Sequence, residues 1–316
     1  MELAKNVRFL IENGKSAEDI CYELKISFNE LMKIVKFINK TSLYSEGRLY
    51  TKFDSFGNLY YTPKKYPDDK VNFTTNGDFR FVVAADYHIG SAHDSLEYVT
   101  LMNEYIEDNN IPLLVHCGDV IDGPTRSDKS FSKRLNNIDD QVNEFNTVFS
   151  PAKLGLNIIC VLGNHDTRRQ ENQTTSLYKY LNSNRDDIMV YGNGYVILKV
   201  NDKEFMVCHD SGDPLILNKL DDTQILLAGH SHEYRTTTNP TNLGVGLRVV
   251  APALCDLPTI NNVLPGFLDV TVKTHSYLCD MLEIKANTII NGSVMQYSKD
   301  IYDISEFSRQ RTKKKK

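Results

Sequence analysis

Five short apolar runs in this chain each end on a cluster of Asp, Asn or His side chains. Apolar runs of this length are typical of buried strands, and α/β proteins place their sites outside the carboxyl ends of such strands. Carboxylates and imidazoles gathered at one edge need partners, because burying them alone is costly. The clusters, in chain order, are Asp86-Tyr87-His88, Gly118-Asp119-Val120-Ile121-Asp122, Gly163-Asn164-His165-Asp166, His209 and Gly229-His230-Ser231-His232.

Two divalent cations would supply those partners. Imidazole, carboxylate and amide oxygen ligands together suit borderline ions such as Mn, Fe or Zn. Five of the eight histidines of the chain fall in the clusters. A structural role in the core explains any one of these histidines, but it does not explain the ordered set.

The order of strand-like and helix-like segments around the clusters indicates an α/β fold. Strand-like runs at 79–85, 113–117 and 158–162 alternate with helix-like segments at 95–107 and 139–149. Beyond about residue 190 the apolar runs predict mostly strands, so the second half is expected to be rich in β-structure.

The order D-x-H, G-D-x-x-D, G-N-H-D, H and G-H-x-H resembles the calcineurin-like metallophosphoesterase superfamily over roughly residues 79 to 285. The resemblance implies a metal-dependent phosphoesterase built as a four-layer α/β/β/α sandwich, with its site at one edge of the sandwich. No ligand of the pattern is missing, which argues against an inactive homologue.

The resemblance also implies seven ligands for two divalent ions, with Mn as the expected metal and Fe or Zn as alternatives. The first ion would be held by Asp86, His88 and His232, the second by Asn164, His209 and His230, and Asp119 would bridge the two. Two ions and two carboxylates leave a charge of about +2 to attract a phosphate ester. A metal-bound hydroxide would then attack phosphorus in line with the leaving group.

Two further residues of the clusters are implied to act without binding metal. His165 would be the general acid or the proton donor to the phosphate, with Asp166 orienting its ring. Asp122 would orient metal ligands from behind.

Four other residues are weaker candidates. His93 could touch substrate or be an exposed loop histidine, and His116 lies inside an apolar run and is expected to be structural. Arg168 and Arg169 could clamp phosphate or belong to the exposed surface.

The N-terminal segment predicts a small helical module. Residues 1 to about 40 contain three helix-like patterns, and Ser27 with Glu30 forms a capping-box pattern before the third. Two β-prone runs within 47–62 flank turn chemistry, as in a hairpin. Helices followed by a hairpin resemble a winged helix-turn-helix, in which Lys33, Lys36 and Lys40 of the third helix are expected to contact nucleic-acid phosphates.

These observations predict four segments. They are a helix-turn-helix module at 1–65, a Pro/Asp/Asn-rich linker at 66–78, the phosphoesterase domain at 79–300 and a basic, disordered tail at 301–316. Six of the eight residues from Arg309 to Lys316 are Lys or Arg, which serves either solubility or anchoring to a phosphate backbone.

Composition narrows the class of protein. A net charge of −5 argues against coating nucleic acid by bulk charge. No apolar stretch approaches a membrane span, and the N-terminus lacks the layout of a secretory signal. Six cysteines without a C-x-x-C pair fit a reducing compartment, so we expect a cytoplasmic protein without membrane contact.

The substrate stays open at this point. The leading hypothesis is a phosphodiesterase or nuclease acting on nucleic acid. The alternative is a protein or small-molecule phosphatase or phosphodiesterase whose N-terminal module mediates dimerisation or partner binding. A DNA-binding regulator with a sensory or vestigial phosphoesterase domain is a third, against which the intact ligand set argues. Neither an ATPase partner nor a homodimer partner is evident from the sequence.

Overall fold

The computed structural model describes most of the chain. The described residues are 2–41, 49–53, 59–62, 70–73, 77–124, 133–149, 156–167, 177, 181, 185, 187–191, 194–212, 225–241, 244–256, 264–274 and 279–305. The predicted arginines Arg168 and Arg169 and the basic residues from Arg309 onward lie outside these ranges.

The N-terminal module contains the three predicted helices and the predicted hairpin. Its elements are α1 (Glu2–Glu12), α2 (Ala17–Leu24), α3 (Phe28–Thr41), β1 (Tyr50–Phe53) and β2 (Leu59–Thr62), with β1 and β2 antiparallel. Ser16 caps α2 in a capping box with Asp19. Ser27 and Glu30 exchange the equivalent hydrogen bonds at the start of α3.

The three helices bury their apolar faces against one another and against the hairpin. Val7, Ile20, Leu31 and Tyr61 belong to this shared core. Asn39 of α3 ties the chain to the hairpin, because its side chain donates to the carbonyl of Leu49 and accepts from the same residue's N–H. The module is thus one packed unit, while its likeness to a winged helix-turn-helix stays a prediction.

The remaining described strands form two mixed sheets. The strands are β3 (Lys70–Phe73), β4 (Phe79–Ala84), β5 (Leu113–His116), β6 (Asn157–Val161), β7 (Ile188–Tyr191), β8 (Tyr195–Val200), β9 (Lys203–Cys208), β10 (Ile225–Ala228), β11 (Arg235–Thr241), β12 (Gly244–Val250), β13 (Gly266–Thr274), β14 (Asp280–Ile290) and β15 (Ser293–Asp303). The seven-stranded sheet has the order β15-β14-β13-β4-β5-β6-β7 and the six-stranded sheet the order β11-β12-β10-β9-β8-β3.

The two sheets pack face to face, which confirms the predicted α/β sandwich. The core between them takes Phe81 and Val115 from one sheet and Phe205 and Leu227 from the other. Helices α4 (Leu96–Asp108) and α5 (Ile138–Val148) cover the outer face of the seven-stranded sheet. The outer face of the six-stranded sheet carries a smaller buried cluster around Met206 and Leu226.

Strand direction brings the polar clusters together. β4, β5 and β6 run parallel, and so do β9 and β10. No more than one residue separates the end of each of these five strands from its cluster, so all five clusters lie at the same edge of the sandwich.

Two predicted boundaries are wrong. The segment predicted as a linker contains β3, which pairs with β8 and buries Val71 and Phe73 in the sandwich core. The domain predicted to end at residue 300 continues through β15, and Ile304 beyond it is fully buried. In both places apolar and polar residues alternate, because the outward face of the strand is polar. The sequence therefore lacks the continuous apolar run by which the other strands were predicted.

No helix among the described residues is long and apolar enough to cross a membrane.

Candidate metal centre

The first and last clusters form one group of facing donor atoms. Asp86 Oδ1 lies 3.3 Å from His232 Nε2 and 3.8 Å from His88 Nε2, and the two imidazole nitrogens are 3.4 Å apart. The side chain of Asp86 is fully buried, and its Oδ1 has no hydrogen-bond partner among the described residues. An unsatisfied buried carboxylate oxygen that faces two imidazoles indicates a cation site.

The other clusters form a second group around His209. Its Nε2 lies 3.1 Å from Asp119 Oδ2, 3.0 Å from Asn164 Oδ1 and 3.2 Å from His230 Nδ1. Asp119 Oδ2 is also 3.8 Å from His88 Nε2 of the first group. Asp119 therefore lies between the two groups, where a bridging carboxylate would have to lie.

The spacing of these donor atoms fits bound divalent ions. Ligands about 2.0–2.2 Å from an ion in tetrahedral geometry lie about 3.4 Å from one another. The observed separations run from 3.0 to 3.8 Å. The seven side chains singled out as ligands from the sequence are thus brought together, and their assignment to individual ions stays a prediction.

The histidine–carboxylate contacts change the proton affinity of both partners. Burial lowers the pKa of His209, but the hydrogen bond to Asp119 and the charges of Asp119 and Asp86 outweigh burial and raise it to about 9. Burial raises the pKa of Asp119, yet the hydrogen bond to His209 and the nearby imidazoles hold it well below its usual range. In the absence of metal, protons therefore occupy part of the site.

The backbone of the clusters is strained. Nine described non-glycine residues have a positive φ, and five of these belong to the clusters: Asp86, His88, Asp119, His230 and His232. A left-handed conformation costs such residues about 1–3 kcal/mol each and persists where the surroundings enforce it. Such strain concentrates at functional sites.

Gly163 lets the third cluster approach the second. A Cβ atom built on Gly163 would lie 2.1 Å from Asp119 Oδ1 and 2.5 Å from Asp119 N. Only glycine fits here, because the carboxylate is fixed by the N–H of His165 at 2.8 Å.

We therefore expect Gly163→Ala to displace Asp119 and to weaken Mn²⁺ binding by about ten- to a hundredfold, the scale of losses for groups that orient ligands. Calorimetric titration with Mn²⁺ measures this. Gly77→Ala is the matched control, because Gly77, like Gly163, does not have a positive φ, and a Cβ there meets no described atom within 4 Å. Equal Mn²⁺ affinity in the two variants would contradict the expectation.

The residue that orients His165 differs from the one expected. His165 Nδ1 lies 3.2 Å from Asp122 Oδ1 and 2.9 Å from the carbonyl of Asp122. The carboxylate of Asp166 instead accepts hydrogen bonds from the backbone N–H groups of Ile121 and Gly163. The prediction that Asp166 orients His165 is wrong, because these two N–H groups hold its carboxylate in the loops. Asp122 takes that position and also lies 3.5 Å from His88 Nδ1.

His93 and His116, the other histidines that the structure describes, do not join the donor groups. His116 is buried against Tyr87, accepts from the N–H of Gly118, and has a pKa lowered to about 3 chiefly by burial. His93 is half-buried in the loop after β4, and its backbone carbonyl accepts from the N–H of Asp256. His116 thus has a structural environment, and His93 is not among the candidate ligand groups of the described residues.

One residue of the site escaped sequence reasoning. Lys133 Nζ lies 2.6 Å from Asp122 Oδ2. No motif marks this lysine, because it comes eleven residues after its partner in an irregular segment.

Comparison with known proteins gives one family match. The calcineurin-like phosphoesterase family model matches residues 79–242. None of the curated proteins matches the sequence.

Similar solved structures include a variant of Vps29 from Entamoeba histolytica, with 14% identity, 71% of this chain and 100% of that chain covered, and a TM-score of 0.42. An archaeal phosphodiesterase has 16% identity, 66% and 99% coverage and a TM-score of 0.41. A purple acid phosphatase from yellow lupin seeds has 12% identity, 78% and 57% coverage and a TM-score of 0.45.

Proposed function

The chain belongs to the calcineurin-like phosphoesterase family, and from this premise we propose that it hydrolyses phosphodiester bonds of nucleic acid. The family makes it a metal-dependent phosphoesterase with a cation site of His and Asp residues. The substrate class is our proposal, and the observation that carries it is the cationic stripe on the third helix of the N-terminal module.

The residues at the edge of the sandwich divide the work of hydrolysis. Two divalent ions, when bound, lower the pKa of water and neutralise charge on a phosphate ester. Asp86, Asp119 and the surrounding imidazoles and amide would hold these ions. His165, oriented by Asp122 and about one-fifth exposed, is placed to give a proton to the departing oxygen.

The cationic stripe comprises Asn29, Lys33 and Lys36. These three residues are exposed on α3 at positions i, i+4 and i+7, so they lie on one side of the helix. The side chain of Lys40, one turn further, lies outside the described part of the chain. Lysine and asparagine side chains of this kind contact phosphates and base edges when a recognition helix lies on a duplex.

Glu30, the one acidic residue on α3, does not offset the stripe fully. Its carboxylate accepts from the N–H and the hydroxyl of Ser27 at 2.7 and 2.8 Å. Its charge is thereby held at the start of the helix, which supports a net cationic surface around Lys33 and Lys36.

A second candidate is a phosphoesterase whose N-terminal module binds a protein or a second copy of the chain. The observation that favours it is the exposure of large apolar side chains on the same module, namely Leu3, Phe9, Tyr22 and Phe37. Exposed apolar surface of this kind is typical of protein interfaces.

Substrate preference of the purified protein separates the candidates. The assay compares a chromogenic phosphodiester, a chromogenic phosphomonoester, and labelled single- and double-stranded DNA and RNA, each with Mn²⁺ and after chelation. Metal-dependent cleavage of the diester and of nucleic acid supports the proposal. Cleavage of the monoester alone, with nucleic acid intact, would move the protein to the phosphatase class and the module to partner binding.

Replacing Lys33, Lys36 and Lys40 together by Ala is expected to weaken nucleic-acid binding about tenfold or more at 0.1 M salt, because each lost phosphate contact lowers both the affinity and its salt dependence. Turnover of the small chromogenic diester should stay unchanged. Fluorescence anisotropy with labelled DNA and RNA measures the affinity.

The control for the lysine variant replaces Lys5 and Lys15, which are exposed on α1 and in the α1–α2 turn rather than on α3. If the control variant loses as much nucleic-acid affinity per charge removed as the lysine variant does, the stripe has no special role. If the unaltered protein binds neither DNA nor RNA, the nucleic-acid proposal fails.

A further inference from the structure

Lys133 is a buried lysine beside the metal centre. Its side chain is 7% exposed, and its Nζ lies 2.6 Å from Asp122 Oδ2. The same ammonium donates to the carbonyls of Gly123 at 2.6 Å and Asp122 at 3.3 Å. An ammonium has three N–H donors, and these three oxygens match them in number. Lys133 is therefore committed to the protein and is not available as a substrate ligand.

The contact with Lys133 assigns the two oxygens of Asp122 to different partners. Oδ2 receives the ammonium, and Oδ1 faces His165 Nδ1 at 3.2 Å and His88 Nδ1 at 3.5 Å. His165 Nδ1 also lies 2.9 Å from the carbonyl of Asp122, so its N–H faces two acceptors of one residue. The carbonyl is fixed by the backbone, whereas the carboxylate can rotate unless Oδ2 is held, so the ammonium of Lys133 decides whether Oδ1 faces the ring.

The backbone around Asp122 is held by a different residue. Gln141 of α5 is fully buried, and its amide accepts from the N–H of Gly123 and donates to the carbonyl of Gly123, both at 3.0 Å. The loop therefore has a support that does not depend on Lys133. What Lys133 adds is control over the side chain of Asp122.

We propose that Lys133 is a positioning residue for phosphoester hydrolysis, acting through Asp122 to aim His165 at the leaving group. The inference rests on the proton-donor role proposed for His165. As the bond between phosphorus and the leaving oxygen breaks, His165 gives its Nε2 proton to that oxygen. The oxygen of a water molecule forms the new bond to phosphorus, and the proton lost by the water passes to solvent.

The test is Lys133→Met, which keeps most of the unbranched length of the side chain and removes its charge and donors. Two phosphodiesters that differ only in the leaving alcohol are compared. A nitrophenolate departs without a proton, whereas an alkoxide must be protonated. We expect kcat for the alkyl ester to fall by about a hundredfold, within the range for general acid catalysis, and kcat for the nitrophenyl ester and both KM values to change less than about threefold.

Lys203→Met is the matched control for loss of a buried lysine. The Lys203 side chain is 1% exposed and pairs with Asp280 at 2.9 Å, at the end of β9 remote from His209. It should lower thermal stability as Lys133→Met does, yet keep the ratio of the two kcat values. Equal loss of both kcat values in Lys133→Met, or no loss of either, would overturn the proposal.

A structural measurement tests the same inference without turnover. Crystal structures of the unaltered protein and of both variants, each loaded with Zn²⁺, report where the Asp122 carboxylate lies relative to His165 Nδ1. We expect Oδ1 to stay near 3.2 Å from Nδ1 in the unaltered protein and in Lys203→Met, and to turn away in Lys133→Met, where the carbonyl of Asp122 at 2.9 Å is left as the acceptor from Nδ1–H. An unmoved Asp122 carboxylate in Lys133→Met would overturn the inference even if the protein cleaved neither diester, the result that would instead refute the proposed function.

Discussion

Asp119→Asn is expected to lower kcat for Mn²⁺-dependent hydrolysis by about a thousandfold, the upper scale for losing one group that stabilises transition-state charge. Asp119 Oδ2 is the donor atom that lies near both imidazoles, 3.1 Å from His209 Nε2 and 3.8 Å from His88 Nε2. Asparagine keeps the size of the side chain and an oxygen to accept from the N–H of His165. The substitution removes the negative charge that would bridge two cations.

Two measurements accompany the rate. A ligand that binds only the folded state raises the melting temperature, so Mn²⁺ should stabilise the unaltered protein and have little effect on Asp119→Asn. Asp269→Asn is the matched control, because Asp269 is also buried and pairs with Arg80 at 2.7 Å on the outer face of the seven-stranded sheet. It should lose stability and keep its kcat. Retention of activity within tenfold in Asp119→Asn would contradict the bridging role.

The strand ends of the site could be predicted from sequence because the signals there are local and agree with one another. Each of β4, β5, β6, β9 and β10 is a short buried run that ends on polar residues. Parallel strands bring their carboxyl ends to one edge, so a linear order of motifs becomes a spatial cluster. The pairing of β13 with β4 is not local and could not be read from periodicity.

The strands that escaped prediction lie toward the edges of the sheets. β11 reads Arg-Thr-Thr-Thr-Asn-Pro-Thr and β15 alternates exposed and half-buried residues. An edge strand tolerates proline and can leave one face to solvent, so β11 and β15 lack the apolar run that marks a central strand. β3 has only two apolar residues among four, too few for a periodic signal, whereas β7 is a short apolar run that no cluster of Asp, Asn or His marks.

The support of His165 shows the same limit at the level of single side chains. Asp166 is its neighbour in sequence, yet two backbone N–H groups hold that carboxylate elsewhere. The residue that faces His165 is Asp122, from the loop after a different strand, and Lys133 behind it comes from further along the chain. The order of the motifs predicts which residues meet at the site. Their hydrogen-bond partners depend on loop conformations, which no periodic sequence pattern specifies.

Metal affinity of the group around His209 is expected to rise about tenfold per pH unit between pH 6.5 and about 9. The pKa of His209 is raised from 6.5 to about 9 in the metal-free protein, where burial is outweighed by the hydrogen bond to Asp119 and by the charges of Asp119 and Asp86. Below pH 9 a proton therefore occupies the nitrogen that the metal needs, and one proton must leave for each ion bound. Calorimetric titrations with Mn²⁺ at pH 6.5, 7.5 and 8.5, in buffers of different ionisation enthalpy, measure both the affinity and the proton released.

The proton on His209 makes the stability of the metal-free protein depend on pH in the opposite direction to metal affinity. Because the folded pKa of His209 exceeds the unfolded value, its contribution to stability is complete below pH 6.5 and is lost as the pH rises toward 9. Chelated protein should thus become less stable over the window in which metal binding strengthens. Asp119→Asn removes the largest contribution that raises this pKa, so the imidazole of His209 in that variant should titrate at lower pH by NMR. Affinity independent of pH from 6.5 to 8.5 would contradict His209 as a ligand that must first lose a proton.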